Sequence, residues 1–146
     1  MDRQLVFELP NDLGCIEGAV EFVLLRCEFC EEVSRRLRFN FRVSLAEALA
    51  NAMLYGNGGD PAKRVRVEVT VESSALQARI TDQGSGFDPD RVPDPTAPEQ
   101  LHRPCGRGIF LMRQLMDEVH YNDQGNAVTL VLRFQDTEAL LREASA

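Results

Sequence analysis

Val65-Arg66-Val67-Glu68-Val69-Thr70-Val71 alternates apolar and polar side chains, and Leu76-Gln77-Ala78-Arg79-Ile80-Thr81 follows after the turn Glu72-Ser73-Ser74. A period of two belongs to a strand with one buried and one wet face. The pair therefore predicts an antiparallel hairpin. Its second strand runs directly into Asp82-Gln83-Gly84-Ser85-Gly86. Upstream, Leu45, Ala48, Leu49, Ala52 and Met53 form an apolar stripe, which predicts a helix over roughly Phe41–Tyr55. Gly56-Asn57-Gly58-Gly59-Asp60-Pro61 ends it. A break near Arg35–Asn40 separates it from an earlier helix, capped at Asn11 or Asp12 and running to about Ser34. Residues 3–9 read as a strand stopped by Pro10.

Downstream, residues 87–105 contain Pro89, Pro93, Pro95, Pro98 and Pro104, five of the chain's seven prolines, and read as a loop. Gly108–Val119 reads as a helix. Val119–Asn122 and Ala127–Phe134 read as strands joined at Asp123-Gln124-Gly125-Asn126, and Asp136–Glu143 as a terminal helix. Helices before and between antiparallel strands imply an α/β sandwich of the α+β type. Its sheet would be mixed and mostly antiparallel, with helices packed on one face.

The 146 residues suit one domain spanning 1–146. A hydrophobic fraction of 44% with 27% charged residues fits a soluble globular chain. The formal charge of −7 argues against a duplex-binding module, which needs a cationic stripe against phosphates. No apolar run approaches a membrane span, and Met1-Asp2-Arg3-Gln4 lacks the layout of a secretion signal, so the expected compartment is the cytoplasm. Cys27-x-x-Cys30 falls inside a helical pattern with no second such pair, which reads as packing thiols rather than a redox or zinc site. His102-x-x-Cys105 supplies too few ligands for a metal.

Chemistry-bearing residues cluster in three segments. Glu47 and Asn51 stand four apart and share a helix face at the margin of the apolar stripe. Asn offers a neutral oxygen for a hard cation, and magnesium takes only one or two protein oxygens beside phosphates and water. Glu47 can polarise a hydroxyl or water aimed at a phosphate. Asp82, at a strand end, can accept from an exocyclic amine, while Gly84 and Gly86 let a flat base approach the backbone. Gly106-Arg107-Gly108 opens a helix, where free amides attract phosphate. Taken singly, each segment also reads as something ordinary: a polar helix surface, a tight turn, a loop entering a helix. Neither glycine segment is a dinucleotide fingerprint, and no P-loop is present.

As an ordered set, Ser44–Asn57, Asp82-Gln83-Gly84-Ser85-Gly86-Phe87 and Gly106-Arg107-Gly108-Ile109 resemble the ATP-binding boxes of the GHKL superfamily, which includes histidine kinases and gyrase-type ATPases. The resemblance covers about residues 5–135, and it is nearest to the small bacterial anti-sigma-factor serine kinases. It implies a Bergerat-type ATP-binding fold using ATP and Mg2+. Asn51 would bind the metal and Glu47 would be the general base. Asp82 would read the adenine amine, with Gly84 and Gly86 shaping the pocket. Residues 87–105 would form a lid, and Gly106 and Gly108 would close on the phosphates. The stretch holding Asn57, Asp60 and Lys63 also resembles that subfamily, and Lys63 or Arg107 would contact phosphate or simply be solvated.

The chain departs from the pattern at two places. Tyr55 replaces a histidine common after the first box. A late Gly-Thr pair becomes Gly125-Asn126, with Thr129 three residues on. Asn126 and Thr129 both remain candidates for the adenine side.

The resemblance implies an anti-sigma factor and serine-protein kinase. It would sequester a sigma factor or similar regulator and phosphorylate a STAS-domain antagonist on serine, with possible homodimerisation through the edge carrying Leu5, Phe7 and Leu9. The alternatives are a non-catalytic, nucleotide-dependent partner-binding module and a detached histidine-kinase catalytic domain, the latter disfavoured by the short lid.

Overall fold

A computed structural model describes residues 3–27, 31–85 and 104–134 of the chain. Five strands form one sheet: β1 (Arg3–Pro10), β2 (Arg64–Val71), β3 (Ala75–Thr81), β4 (Glu118–Tyr121) and β5 (Ala127–Arg133). Their order is β1-β2-β3-β5-β4, and every pairing among the described strands is antiparallel, so the sheet is antiparallel throughout rather than mixed. The expected hairpin is there, with Val71 opposite Leu76 and Val67 opposite Ile80. Pro10 closes β1 opposite Arg64, a position open to proline because β1 is an edge strand.

Alternation decides which face is covered. Val65, Val67, Val69, Leu76, Ala78, Ile80, Val128, Leu130 and Leu132 are all buried, whereas Arg66, Gln77 and Arg79 are exposed. Three helices cover the apolar face: α1 (Ile16–Cys27), α2 (Glu31–Asn51) and α3 (Pro104–Leu115). The central helix, α2, buries Phe41, Leu45 and Leu49 completely. Burial of each such side chain is worth about 1.5–3 kcal/mol relative to exposure. Phe7 of β1 meets Phe22 of α1 edge to face, with centroids 5.5 Å apart.

Three expectations are corrected. First, the break near Arg35–Asn40 does not exist, because α2 runs unbroken from Glu31 to Asn51. That stretch has neither Gly nor Pro, and packing of Phe41 and tethering of Asn40 outweigh its polar composition. Second, the first helix does not reach Ser34. Asp12 caps a 3-10 turn, Leu13–Cys15, by accepting from the Gly14 N–H, and α1 then ends at Cys27. Third, the helix expected over Gly108–Val119 starts at Pro104 and stops at Leu115. Proline suits the first helical position, where its missing N–H has no intrahelical partner to lose. Pro104 and Cys105, placed by sequence in the loop, therefore belong to α3.

The Cys30 thiol, His102, Gly86, the remainder of the lid to residue 103 and the terminal helix expected over Asp136–Glu143 lie outside the described residues, as do the side chains of Cys27 and Arg107. Among the described residues, no helix is long and apolar enough to cross a membrane.

Candidate functional site

At the C-terminal end of α2 the helix does not stop cleanly. Ala52–Gly56 widens into a π-turn, in which the Asn57 N–H donates to the Ala52 carbonyl at 2.7 Å. Such turns recur at functional sites because they re-aim the residues around them. Here the turn carries Gly56 onto the segment after β3. A Cβ on Gly56 would fall 2.2 Å from Asp82 Oδ2, and one on Gly84 would fall 1.8 Å from the Gly56 carbonyl oxygen. Two glycines thus let two backbone segments and a carboxylate occupy one place.

Asp82 is the centre of this contact. It is buried, its Oδ1 accepts from the Gly84 N–H at 2.8 Å, and its own N–H donates to the Asn126 carbonyl at 2.8 Å. Burial pushes its carboxyl up from the usual carboxylate range; the Gly84 N–H and the positive charge of Lys63 offset that in part. Asp82, Asn51 and Asn126 line a cleft together with Ala48, Ala52, Ile80, Tyr121, Gly125, Ala127 and Val128. It is narrow and open to solvent, so only a compact flat group suits it, with the rest of the ligand outside. Its lining is mostly apolar with a few polar side chains, Asn51, Asp82 and Asn126, the composition typical of a small-ligand site.

Beside the cleft, α3 crosses Glu47 and Asn51. A Cβ on Gly108 would stand 2.7 Å from Glu47 Oε2 and 3.1 Å from Asn51 Nδ2. Gly108 therefore lets a helix backbone lie close against a carboxylate and an amide, which a Cβ there would push aside. The Asn51 Nδ2 is buried without a hydrogen-bond partner among the described residues. A buried amide left unpaired costs about 1–3 kcal/mol, and this N–H could donate to an acceptor oxygen on a ligand. Gly106 and Gly108 lie in the N-terminal part of α3 as described, and the N-terminal end of a helix dipole favours an anion nearby.

Magnesium fits this donor set. Among the described residues no group of three or more His, Cys, Asp or Glu is placed to hold a metal. Asn51 offers one amide oxygen with the Glu47 carboxylate beside it, within the one or two protein oxygens that magnesium uses when phosphates complete its shell.

The sequence-predicted residues divide into two groups. Glu47, Asn51, Asp82, Gly84, Gly108 and Asn126 are brought together, and Gly106 lies in the first turn of α3. Asn57, Lys63 and Thr129 do not line the cleft. Asn57 is buried and committed elsewhere: it donates to Asn11 Oδ1 (3.2 Å) and to the Arg64 carbonyl (3.0 Å), and accepts from the Gln83 N–H (2.7 Å). It ties the π-turn, β1, β2 and the Asp82 segment into one unit. Thr129 is flanked by buried Val128 and Leu130, so its side chain points to the opposite face of the sheet. Asn126 takes the cleft position, and its Oδ1 accepts from Asn122 at 2.6 Å. Sequence reading missed Gly56 and Tyr121. Gly56 looked like a helix stop, and nothing local announced its contact with Asp82.

The profile of the family described as histidine kinase-like ATPase domain matches residues 10–132. The serine-protein kinase RsbW of Oceanobacillus iheyensis is 23% identical over 114 residues, which cover 70% of this chain and 72% of that protein. The serine-protein kinase RsbW of Listeria monocytogenes is 26% identical over 98 residues, 62% of each chain. The anti-sigma F factor of Anoxybacillus flavithermus is 31% identical over 102 residues, 66% of this chain and 69% of that protein.

Proposed function

Because the chain belongs to the histidine kinase-like ATPase domain family, we propose that it is an ATP-dependent serine-protein kinase that also works as an anti-sigma factor. It binds ATP with Mg2+, sequesters a sigma factor or similar regulator, and phosphorylates a STAS-domain antagonist on serine. The observation that carries this reading is that Asp82 and Asn51 line one cleft while Asn51, with Glu47, also lies against the Gly108 backbone beside it. The names of the relatives support the reaction class and the kind of partner.

In this reading adenine enters the cleft between Ile80 and Val128, with its amine donating to Asp82. Asn126 lies beside it. The phosphates run toward Glu47 and Asn51, under the N-terminal end of α3. Asn51 would hold magnesium, which would supply charge neutralisation for the transferring phosphoryl group. The serine hydroxyl gives its proton to Glu47 as its oxygen bonds to the terminal phosphorus; the bond to the bridging oxygen breaks and ADP leaves. Phosphoryl transfer asks mainly for positioning and charge neutralisation, which this constellation supplies. A new phosphoserine brings up to about two negative charges against an acidic protein, which favours release of the product.

The test is transfer of label from γ-labelled ATP to purified STAS-domain proteins encoded beside the gene, followed by acid treatment. Acid-stable phosphoserine is expected. Acid-labile phosphohistidine, or tight ATP binding with no transfer to any such protein, would overturn the serine-kinase reading.

Asp82 gives an outcome of opposite sign for folding and binding. Its folded form holds the proton to higher pH than the unfolded chain does. The unliganded protein therefore loses stability as pH rises from the ordinary carboxylate range through the raised value. Asp82→Asn keeps the acceptor for the Gly84 N–H and removes the buried charge. It should melt above wild type at neutral pH, with a flatter dependence of melting temperature on pH. ATP affinity should fall by roughly 10-fold or more, because a charge-assisted hydrogen bond worth about 1.5–3 kcal/mol is lost. Calorimetric titration and thermal unfolding from pH 4 to 8 read both effects, and a variant that melts lower at neutral pH would contradict the first.

A further inference from the structure

Asn40, Ser44, Glu47 and Asn51 follow one another along α2 at steps of four, three and four residues, which places them in one line on the helix surface. Both ends of that line touch α3. Glu47 and Asn51 meet Gly108 near its N-terminus, and Asn40 Nδ2 donates to the Leu115 carbonyl at its C-terminal end, at 3.0 Å. The two helices therefore lie antiparallel. Ser44, between these contacts, is completely buried, and its hydroxyl has no hydrogen-bond partner among the described residues. From Asn40 to Glu47 and from Gly108 to Leu115 is seven residues in each helix, about 10 Å at 1.5 Å per residue. The spacings match, so a contact fixed at one end sets the register at the other.

We propose that Asn40 is a positioning residue for the phosphate end of the site. By capping the last carbonyl of α3 it fixes how far that helix slides along α2, and so the height of Gly106 and Gly108 over Glu47 and Asn51. This rests on the nucleotide reading above and adds a residue about 16 Å along α2 from Asn51. Terminal carbonyls of a helix have no intrahelical partner, so the Asn40 amide satisfies a group that would otherwise be open. The apolar contacts of Ile109 and Met112 hold α3 down but specify no register, since dispersion is not directional. The base cleft is lined by α2, β3, β4, β5 and their adjoining turns and contains no residue of α3. Loss of the cap should therefore separate two kinds of ligand: those with phosphates and those without.

The experiment titrates adenosine and Mg-ATP separately into wild type, Asn40→Leu and Asn40→Asp, with the fold checked by circular dichroism. Leucine removes the donor at similar size, and aspartate keeps the shape but faces the Leu115 carbonyl with a second acceptor. Both variants are expected to bind Mg-ATP roughly 3–10-fold more weakly, the equivalent of one ordinary hydrogen bond, with adenosine affinity within two-fold of wild type. Should Asn40→Leu fail to fold, the near-isosteric Asn40→Asp carries the test. Unchanged Mg-ATP affinity in folded variants would overturn the proposal, as would equal losses for adenosine and Mg-ATP, which indicate general damage. Wild type that binds neither ligand would overturn the nucleotide reading and this inference with it.

Discussion

Glutamine in place of Glu47 is expected to cut phosphoryl transfer by roughly 10²–10⁴-fold, the usual contribution of a positioned general base. Mg-ATP affinity should stay within a few-fold of wild type. The substitution keeps the size of the side chain, so the contact with the Gly108 backbone survives, and only the ability to take a proton goes. The Asp82 end of the cleft is untouched, since Glu47 is not among its lining residues. Single-turnover transfer to the antagonist, beside calorimetric Mg-ATP binding, separates the two quantities. Transfer that survives at wild-type rate would remove Glu47 from the chemistry. A parallel collapse of binding would instead make it a ligand residue.

Alanine at Gly84 should be nearly as damaging, for a reason with no chemistry in it. Its Cβ would fall 1.8 Å from the Gly56 carbonyl oxygen and 2.6 Å from the Gly56 carbonyl carbon. The obstruction is backbone, so no rotamer change relieves it. Either the π-turn or the segment after β3 must move, and Asp82 is held between them. Overpacking of this kind costs about 1–3 kcal/mol and sometimes more, which corresponds to a melting temperature lower by several degrees. Mg-ATP binding should fall at least 10-fold, because Asp82 loses its place. Gly18→Ala is a control of opposite sign. That glycine lies inside α1 with nothing within 4 Å of where the alanine methyl would stand, and alanine there should stabilise the fold by roughly 0.5–1 kcal/mol. Thermal unfolding of the two variants should move in opposite directions; a Gly84→Ala protein as stable as wild type would contradict the close packing.

The parts of the fold that were legible are those where one-sided burial writes a period into the chain. Val65 to Val71 and Leu76 to Ile80 alternate because each strand has one face under the helices. The start of α2 was not legible, since Arg35, Arg38 and Phe39 are exposed and give no apolar stripe there. That part of the helix is held by Phe41 and by the Asn40 bond to Leu115, 75 residues away. Within the site, Asp82, Gly84, Glu47, Asn51 and Gly108 stood out because glycines and polar side chains in that order have few other uses. Gly56 did not, as its role is a contact with a residue 26 positions further on. Thr129 was decidable from parity alone: Val128, Leu130 and Leu132 point inward, so Thr129 points out.

The wide turn after Asn51 sets a rule for insertions and deletions. Between Asn51 and Asn57 the chain is wound with i→i+5 bonding, one residue more per loop of hydrogen bonding than the helix before it. Removing one residue would let the regular helix continue and rotate everything beyond it by about 100°. Gly56 would then swing away from Asp82, and Asn57 would abandon Asn11 and Gln83 together. Length drift among distant members of this family should accordingly gather in the 58–63 connection, where Gly58 and Gly59 adopt φ of 60° and 72°, and spare the six steps from Asn51 to Asn57.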